Sequence, residues 1–139
     1  MKQFEYFKRF SVIIITGGSS GIGCSIIKAI TSIAPRAQLC NLSRSKPEIS
    51  LGDNGQHYPV DLIDGQALAE AAEALKARIE FAPEGEILLV NNSGFGDYGR
   101  LPDLEIHKQL SMIDLNVRAV VDLSSVSYTH LTLPTKRIV

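Results

Sequence analysis

A chain of 139 residues is the size of one domain and is long enough to bury a proper core. Its 45% apolar and 21% charged residues are ordinary for a soluble globular protein, and a net charge of −1 leaves no basic footprint for nucleic acid or an anionic membrane. The longest apolar runs, such as Val12 to Ile15, are far too short to span a bilayer, and Lys2, Glu5, Lys8 and Arg9 break up the N-terminus so that it does not read as a signal peptide.

A cytoplasmic protein with no nucleic-acid or membrane partner is therefore expected. Cys24 and Cys40 lie in different predicted elements with no CxxC pair, which suits reduced thiols better than a metal or redox site. His57, His107 and His130 are scattered and are expected at the surface, with no metal.

In chain order, the β-branched run Ser11 to Thr16 ends in glycines and reads as a buried parallel strand. From Gly21 to Ile33, Ile22, Ile26, Ile27, Ile30 and Ile33 recur at helical spacing. Ser19 or Ser20 is available to cap that helix, and Pro35 ends it. Residues 37–42 form a plausible second strand, and polar, turn-forming residues follow from Ser43 to Gly55. His57 to Asp61 looks like a short third strand. Ala67 to Phe81 is an alanine-rich helix with Leu68, Ala72, Leu75 and Ile79 on one face. Glu86 to Asn91 is a fourth strand, apolar enough to be covered on both faces. Pro102 starts a long helix with Ile106, Leu110, Ile113, Val117, Val120 and Val121 in phase. Strands alternating with helices predict an α/β fold, a Rossmann-type doubly wound parallel sheet that stops after the fourth strand and the following helix.

Thr16-Gly17-Gly18-Ser19-Ser20-Gly21-Ile22-Gly23 joins the first strand to the first of these helices. A diphosphate at such a junction needs a tight turn, backbone free of obstructing side chains, and unpaired helix N-terminal amides pointing at the charge. Gly17, Gly21 and Gly23 meet the first two needs, and the helix opening at Gly21 meets the third. Cofactor-binding candidates are thus Gly17, Ser19, Ser20, Gly21, Ile22 and Gly23. The spacing Gly-x-x-x-Gly-x-Gly differs from the commoner Gly-x-Gly-x-x-Gly fingerprint.

With that spacing the chain resembles the short-chain dehydrogenase/reductase family over about residues 11 to 125. Asp61-Leu62 resembles the family's pair at the adenine ring. Asn91-Asn92-Ser93-Gly94 is similar to its Asn-Asn-Ala-Gly, with serine in place of alanine. Asn116, within Asp114-Leu115-Asn116-Val117, matches the helix asparagine of its catalytic tetrad. The residues themselves allow these roles. Asn91 can bond neighbouring main chain and pin two strands, Ser93-Gly94 lets the backbone approach a ribose, and Asp61 can accept from an adenine amino group. Asn116, polar among apolar neighbours, should have hydrogen-bonding partners, since an unpaired buried amide is costly.

The segment Asn41-Leu42-Ser43-Arg44-Ser45-Lys46 has no acidic residue until Glu48. A carboxylate there would select NAD by holding both ribose hydroxyls, whereas Ser43 and Arg44 offer a hydroxyl donor and a guanidinium fork to a 2′-phosphate, so NADP(H) is favoured over NAD(H).

The resemblance implies hydride transfer between nicotinamide and a carbonyl or alcohol substrate, and a homo-oligomeric intact parent. It also implies a catalytic serine and a Tyr-x-x-x-Lys pair after the Asn116 helix, which this chain lacks. Tyr128 is followed four residues on by Thr132. The chain is therefore expected to be inactive alone. A non-catalytic dinucleotide-binding or sensor module is the alternative, and a sugar-nucleotide epimerase fits the glycine spacing less well.

Residues 126–139 show neither helical nor strand periodicity. They resemble one reading frame of a transposase adapter from sequencing libraries, so they are expected to be a non-native tail behind a partial domain of residues 1–125. Without a fifth strand, the fourth is expected at a sheet edge and the last helix without the surface it should pack on, which favours aggregation over a stable monomer.

Overall fold

The computed structural model describes residues 2–129 of the chain. Its elements run α1 (Lys2–Phe7), β1 (Phe10–Thr16), α2 (Gly21–Ile33), β2 (Gln38–Ser43), β3 (Gln56–Pro59), α3 (Gly65–Glu80), β4 (Glu86–Val90), α4 (Ile106–Ile113) and α5 (Ala119–Thr129). The four strands form one parallel sheet in the order β3-β2-β1-β4.

β1 is central, and its side chains alternate between two cores, as the pleat of a strand requires. Val12 and Ile14 pack with Leu42, Tyr58, Leu68, Leu75, Ile79 and Leu123, so α3 and α5 cover that face. Ile13 and Ile15 pack with Ile27, Ile30 and Leu39 under α2 on the other. Helices on both faces of a parallel sheet make the fold doubly wound, as the alternation of patterns predicts.

Strand order fixes where a ligand can sit. The chain steps outward from β1 to β2 and β3, then returns to place β4 on the other side of β1. Beyond the carboxyl ends of β1 and β4 the flanking connections diverge and leave a crevice.

Several local expectations need correction. α1 carries no pattern long enough to foresee. Its Tyr6 ring meets Phe7 and Phe10 edge-on at 5.8 Å, and the Arg9 guanidinium lies 4.3 Å from the Tyr6 ring centre. Arg9 Nε also donates to Glu86 Oε2 at 2.6 Å, which fastens the start of β1 to that of β4. α3 begins at Gly65 rather than Ala67, because the Asp64 carboxylate caps it by accepting from Gln66 N and Ala67 N. β4 is not covered throughout. Ile87 is buried, but Leu88, Leu89 and Val90 are half-buried, as befits an edge strand.

The helix expected from Pro102 is interrupted. Pro102 sits in a short 3₁₀ turn, Leu101–Asp103. α4 starts at Ile106, and a wide turn over Asp114–Arg118, in which Ala119 N donates to Asp114 O, separates it from α5. Ile106, Leu110, Ile113, Val117 and Val121 are in phase but stand exposed, because no strand of the described residues lies beyond β4 to receive them. α5 also continues through residues 126–129, which sequence periodicity assigned to a tail; the buried Ser127 hydroxyl donates to Leu123 O at 2.9 Å. His130 and the rest of that segment lie outside the described residues.

Candidate dinucleotide-binding cleft

The crevice at the carboxyl end of the sheet is a cleft of about 680 Å³. Gly17, Ser19, Ser20, Ile22 and Gly23 line one wall, Ser43, Arg44, Asp61 and Leu62 a second, and Ser93 and Gly94 a third. Eleven candidate residues from the three sequence motifs and the Ser43–Arg44 segment thus converge on one space. Gly21, Asn91 and Asn116 do not line it.

The turn between β1 and α2 is built by backbone geometry. Gly17 (φ +69°) and Gly21 (φ +55°) occupy the left-handed region that side chains disfavour. Gly23 serves another purpose. A Cβ there would lie 2.2 Å from Gly17 O and 2.6 Å from Asn92 Nδ2, so α2 approaches the turn as closely as it does only because that position is bare. Gly18, an unspecified position within the glycine spacing, is confined equally, with a Cβ falling 2.3 Å from Asn41 Oδ1.

Neither serine caps α2 as expected. Ser20 stands at the N-cap, yet its side chain makes no capping hydrogen bond. The amides of Gly21, Ile22 and Gly23 come before Cys24 N, the first to reach a main-chain acceptor (Ser20 O), and have no side-chain cap, so they remain available to an acceptor in the cleft. Ile22, although in phase with the buried face, is 76% exposed and turned to the cleft.

Strand pinning is assigned by sequence to Asn91, but Asn92 performs it. β4 ends at Val90 and Asn91 is exposed, whereas the chain at Asn92 folds back over β1. Asn92 Nδ2 donates to Thr16 O at 3.0 Å and to Gly17 O at 3.2 Å. In return Thr16 Oγ1 accepts from Asn92 N at 3.0 Å and from Ser93 N at 2.9 Å. On the opposite side Gly17 N donates to Leu42 O at 2.9 Å, so the turn is tied to both neighbouring strands.

Ser43 also departs from expectation. It is 6% exposed, accepts from Asn41 Nδ2 at 2.9 Å and donates its own proton to Ser45 O at 2.8 Å. Its hydroxyl shapes the loop and is not a free donor. Arg44 is exposed at the rim. Asp61 Oδ1 accepts from Ile63 N at 3.1 Å while its residue still lines the cleft. Asn116 has its partners as expected, but at the surface: Oδ1 accepts from Phe95 N at 3.2 Å and Nδ2 donates to Phe95 O at 2.8 Å.

The sequence profile of the short chain dehydrogenase family matches residues 11–137. The chain belongs to the short-chain dehydrogenase family.

Three solved structures are similar to it. A short-chain dehydrogenase/reductase from Burkholderia vietnamiensis is 27% identical and superposes with a TM-score of 0.79 over 94% of this chain and 62% of its own. Two others, below 25% identity, show the fold alone. One, from Leptospira borgpetersenii with bound NAD+, is 16% identical (TM-score 0.72), covering 90% of this chain and 48% of that one. The other, the NADPH-bound carbonyl reductase from chicken fatty liver, is 17% identical (TM-score 0.68), covering 86% and 51%. The chain spans 17% to 38% of the length of the curated proteins it matches.

Four titratable groups of the described residues depart from their ordinary values, and none of them lines the cleft. Cys40 is buried, and burial pushes its thiol up to about 11, so it stays protonated and unreactive. Burial likewise raises Tyr58, which hydrogen-bonds Cys40, to about 12. His57, expected at the surface, is half-buried against Asn41, and burial lowers it from the ordinary 6.5. Lys108 bonds Asp97 Oδ1 at 2.9 Å and holds that carboxylate below its usual range, which clips the loop after β4 onto α4. Among the described residues no helix is long and apolar enough to cross a membrane, and no group of three His, Cys, Asp or Glu is placed to hold a metal.

Proposed function

We propose that the cleft binds a nicotinamide dinucleotide, with NADP(H) favoured over NAD(H), for hydride transfer to or from a small carbonyl or alcohol substrate. The observation that carries this reading is the uncapped first turn of α2, opening into a cleft at the point where strand order reverses. The residues fit such a group. A Cβ on Gly21 would meet nothing within 4 Å, so the approach to the amides is open, and the cleft volume is in the range of cofactor sites.

In this assignment Gly17, Ser19, Ser20, Gly21, Ile22 and Gly23 receive the diphosphate. Asp61 and Leu62 meet the adenine ring. The Asn91–Gly94 segment follows the nicotinamide ribose, with Asn92 holding it in place. Arg44 receives the 2′-phosphate without help from the committed Ser43 hydroxyl. When bound, the nicotinamide supplies or takes up the hydride. Asn116, anchored on the Phe95 main chain, is assigned to hold a water for proton relay. The chain as it stands has no Tyr-x-x-x-Lys after Asn116 and is expected to bind cofactor without turning over. Turnover of small carbonyls by this chain with NADPH would contradict that.

Arg44→Ala tests the cofactor preference. Losing a charged hydrogen-bond donor should weaken NADPH binding by about tenfold or more and leave NADH within about twofold. Unchanged NADPH affinity would refute the 2′-phosphate assignment. Failure of the unmodified chain to bind either nucleotide would refute the whole reading.

A further inference from the structure

Asn41, on β2, is 0% exposed and opens the segment that carries Ser43 and Arg44, yet it is given no role by the sequence; it links three segments around the cleft. Its Oδ1 accepts from Gly18 N in the glycine turn at 2.9 Å. Its Nδ2 donates to Ser43 Oγ at 2.9 Å and lies 3.1 Å from His57 Nδ1 on β3. Ser43 Oγ passes the link on to Ser45 O at 2.8 Å, so the loop on either side of Arg44 is held from below.

The amide orientation follows from its partners. Gly18 N–H can only donate, so it must face oxygen; the two N–H groups then point at Ser43 and His57. Fully engaged and buried, the amide is costly to replace with anything that leaves Gly18 N–H without an acceptor.

We propose that Asn41 is a positioning residue for the dinucleotide: its buried amide ties the glycine turn to the Arg44 loop and so sets the spacing between the two phosphate-binding walls. This rests on the dinucleotide reading of the cleft. A ligand with a phosphate on each wall gains from both only if their separation is held, and a small displacement forfeits much of that gain.

Asn41→Asp discriminates. It keeps an acceptor for Gly18 N–H but removes both donors, so Ser43 must turn its proton from Ser45 O to the new carboxylate. NADPH, which reaches both walls, should bind about tenfold more weakly. Adenosine 2′-phosphate, which reaches only the Arg44 wall, should bind within about twofold of its original affinity. The new carboxylate should also raise the pH at which the His57 imidazole titrates by NMR. Ser43→Ala, which cuts the links from Asn41 to Ser43 and from Ser43 to Ser45 but keeps the Asn41 acceptor for Gly18 N–H, tests the idea even if the aspartate variant folds poorly and should likewise weaken NADPH more than adenosine 2′-phosphate. Equal losses for the two ligands in both variants, or no loss of NADPH affinity, would overturn the positioning role, as would an unmoved His57 titration in the aspartate variant. If the unmodified chain bound no NADPH, the cleft reading itself would fall; normal binding there with an indifferent Asn41 would sink only this inference.

Discussion

Thr16→Val should destabilise the folded chain by roughly 2–4 kcal/mol, the largest loss expected from any single atom-for-atom replacement at the cleft. Valine matches threonine in shape and suits a strand at least as well, so the 2%-exposed position loses only its hydroxyl. That oxygen accepts from two successive amides, Asn92 N at 3.0 Å and Ser93 N at 2.9 Å. Both would be stranded in a partly buried setting. The Asn92 side chain would also lose its fixed approach to Thr16 O and Gly17 O, and the third wall would drift from the first. Urea denaturation followed by circular dichroism measures the loss. Thr16→Ser, which keeps the acceptor, should lie much closer to the original chain. If Thr16→Val unfolded within about 0.5 kcal/mol of it, the double acceptor would not be holding the cleft together.

Gly23→Ala should separate folding from binding. Alanine in the first turn of a helix gains up to about 1 kcal/mol of propensity, partly offsetting an overpacking cost of about 1–3 kcal/mol. The net stability change is therefore modest. Cofactor affinity should suffer far more, because the added methyl, 2.2 Å from Gly17 O, cannot fit unless α2 and the turn move apart. A shift on the order of 1 Å in the groups facing a diphosphate is enough to lose about a hundredfold. Gly96→Ala is the control, since a Cβ there meets nothing within 4 Å and the backbone is not left-handed. Titration of NADPH into the three proteins gives the comparison. Equal affinity in Gly23→Ala and the unmodified chain would mean that the turn is not the binding surface.

The elements most legible in the sequence are those whose pattern is local. The β-branched run ending at Thr16 and the helix from Gly21 to Ile33 lie where periodicity places them, because burial of a regular apolar face determines both. The convergence of the glycine turn, Asp61 and Ser93 on one cleft follows from the parallel topology that alternating patterns imply. What stayed hidden depends on partners distant in sequence. Asn41 is separated from Gly18 by 23 residues and Thr16 from Ser93 by 77, and no spacing rule pairs them. The exchange of roles between Asn91 and Asn92 turns on where β4 leaves its ladder, at the last apolar residue Val90 and one residue before the expected strand end at Asn91. The committed proton of Ser43 belongs to the same class, since its acceptor is fixed by a loop path and not by composition. The outward face of α4 reflects what lies beyond β4, which the helix's own periodicity cannot report.

The central claim is that the opening turn of α2 holds the cofactor's diphosphate, and Ile22→Glu tests it most directly. Ile22 is 76% exposed at the cleft, so its loss removes no core contact. A carboxylate in the first turn complements the helix dipole and should leave stability unchanged or slightly raised. The same carboxylate would repel a diphosphate arriving at the amides. Calorimetric titration with NADPH should show saturable binding to the unmodified chain and at least about tenfold weaker binding to the variant, with thermal unfolding unaltered. NADPH bound equally well by both would contradict the placement of the diphosphate on this helix.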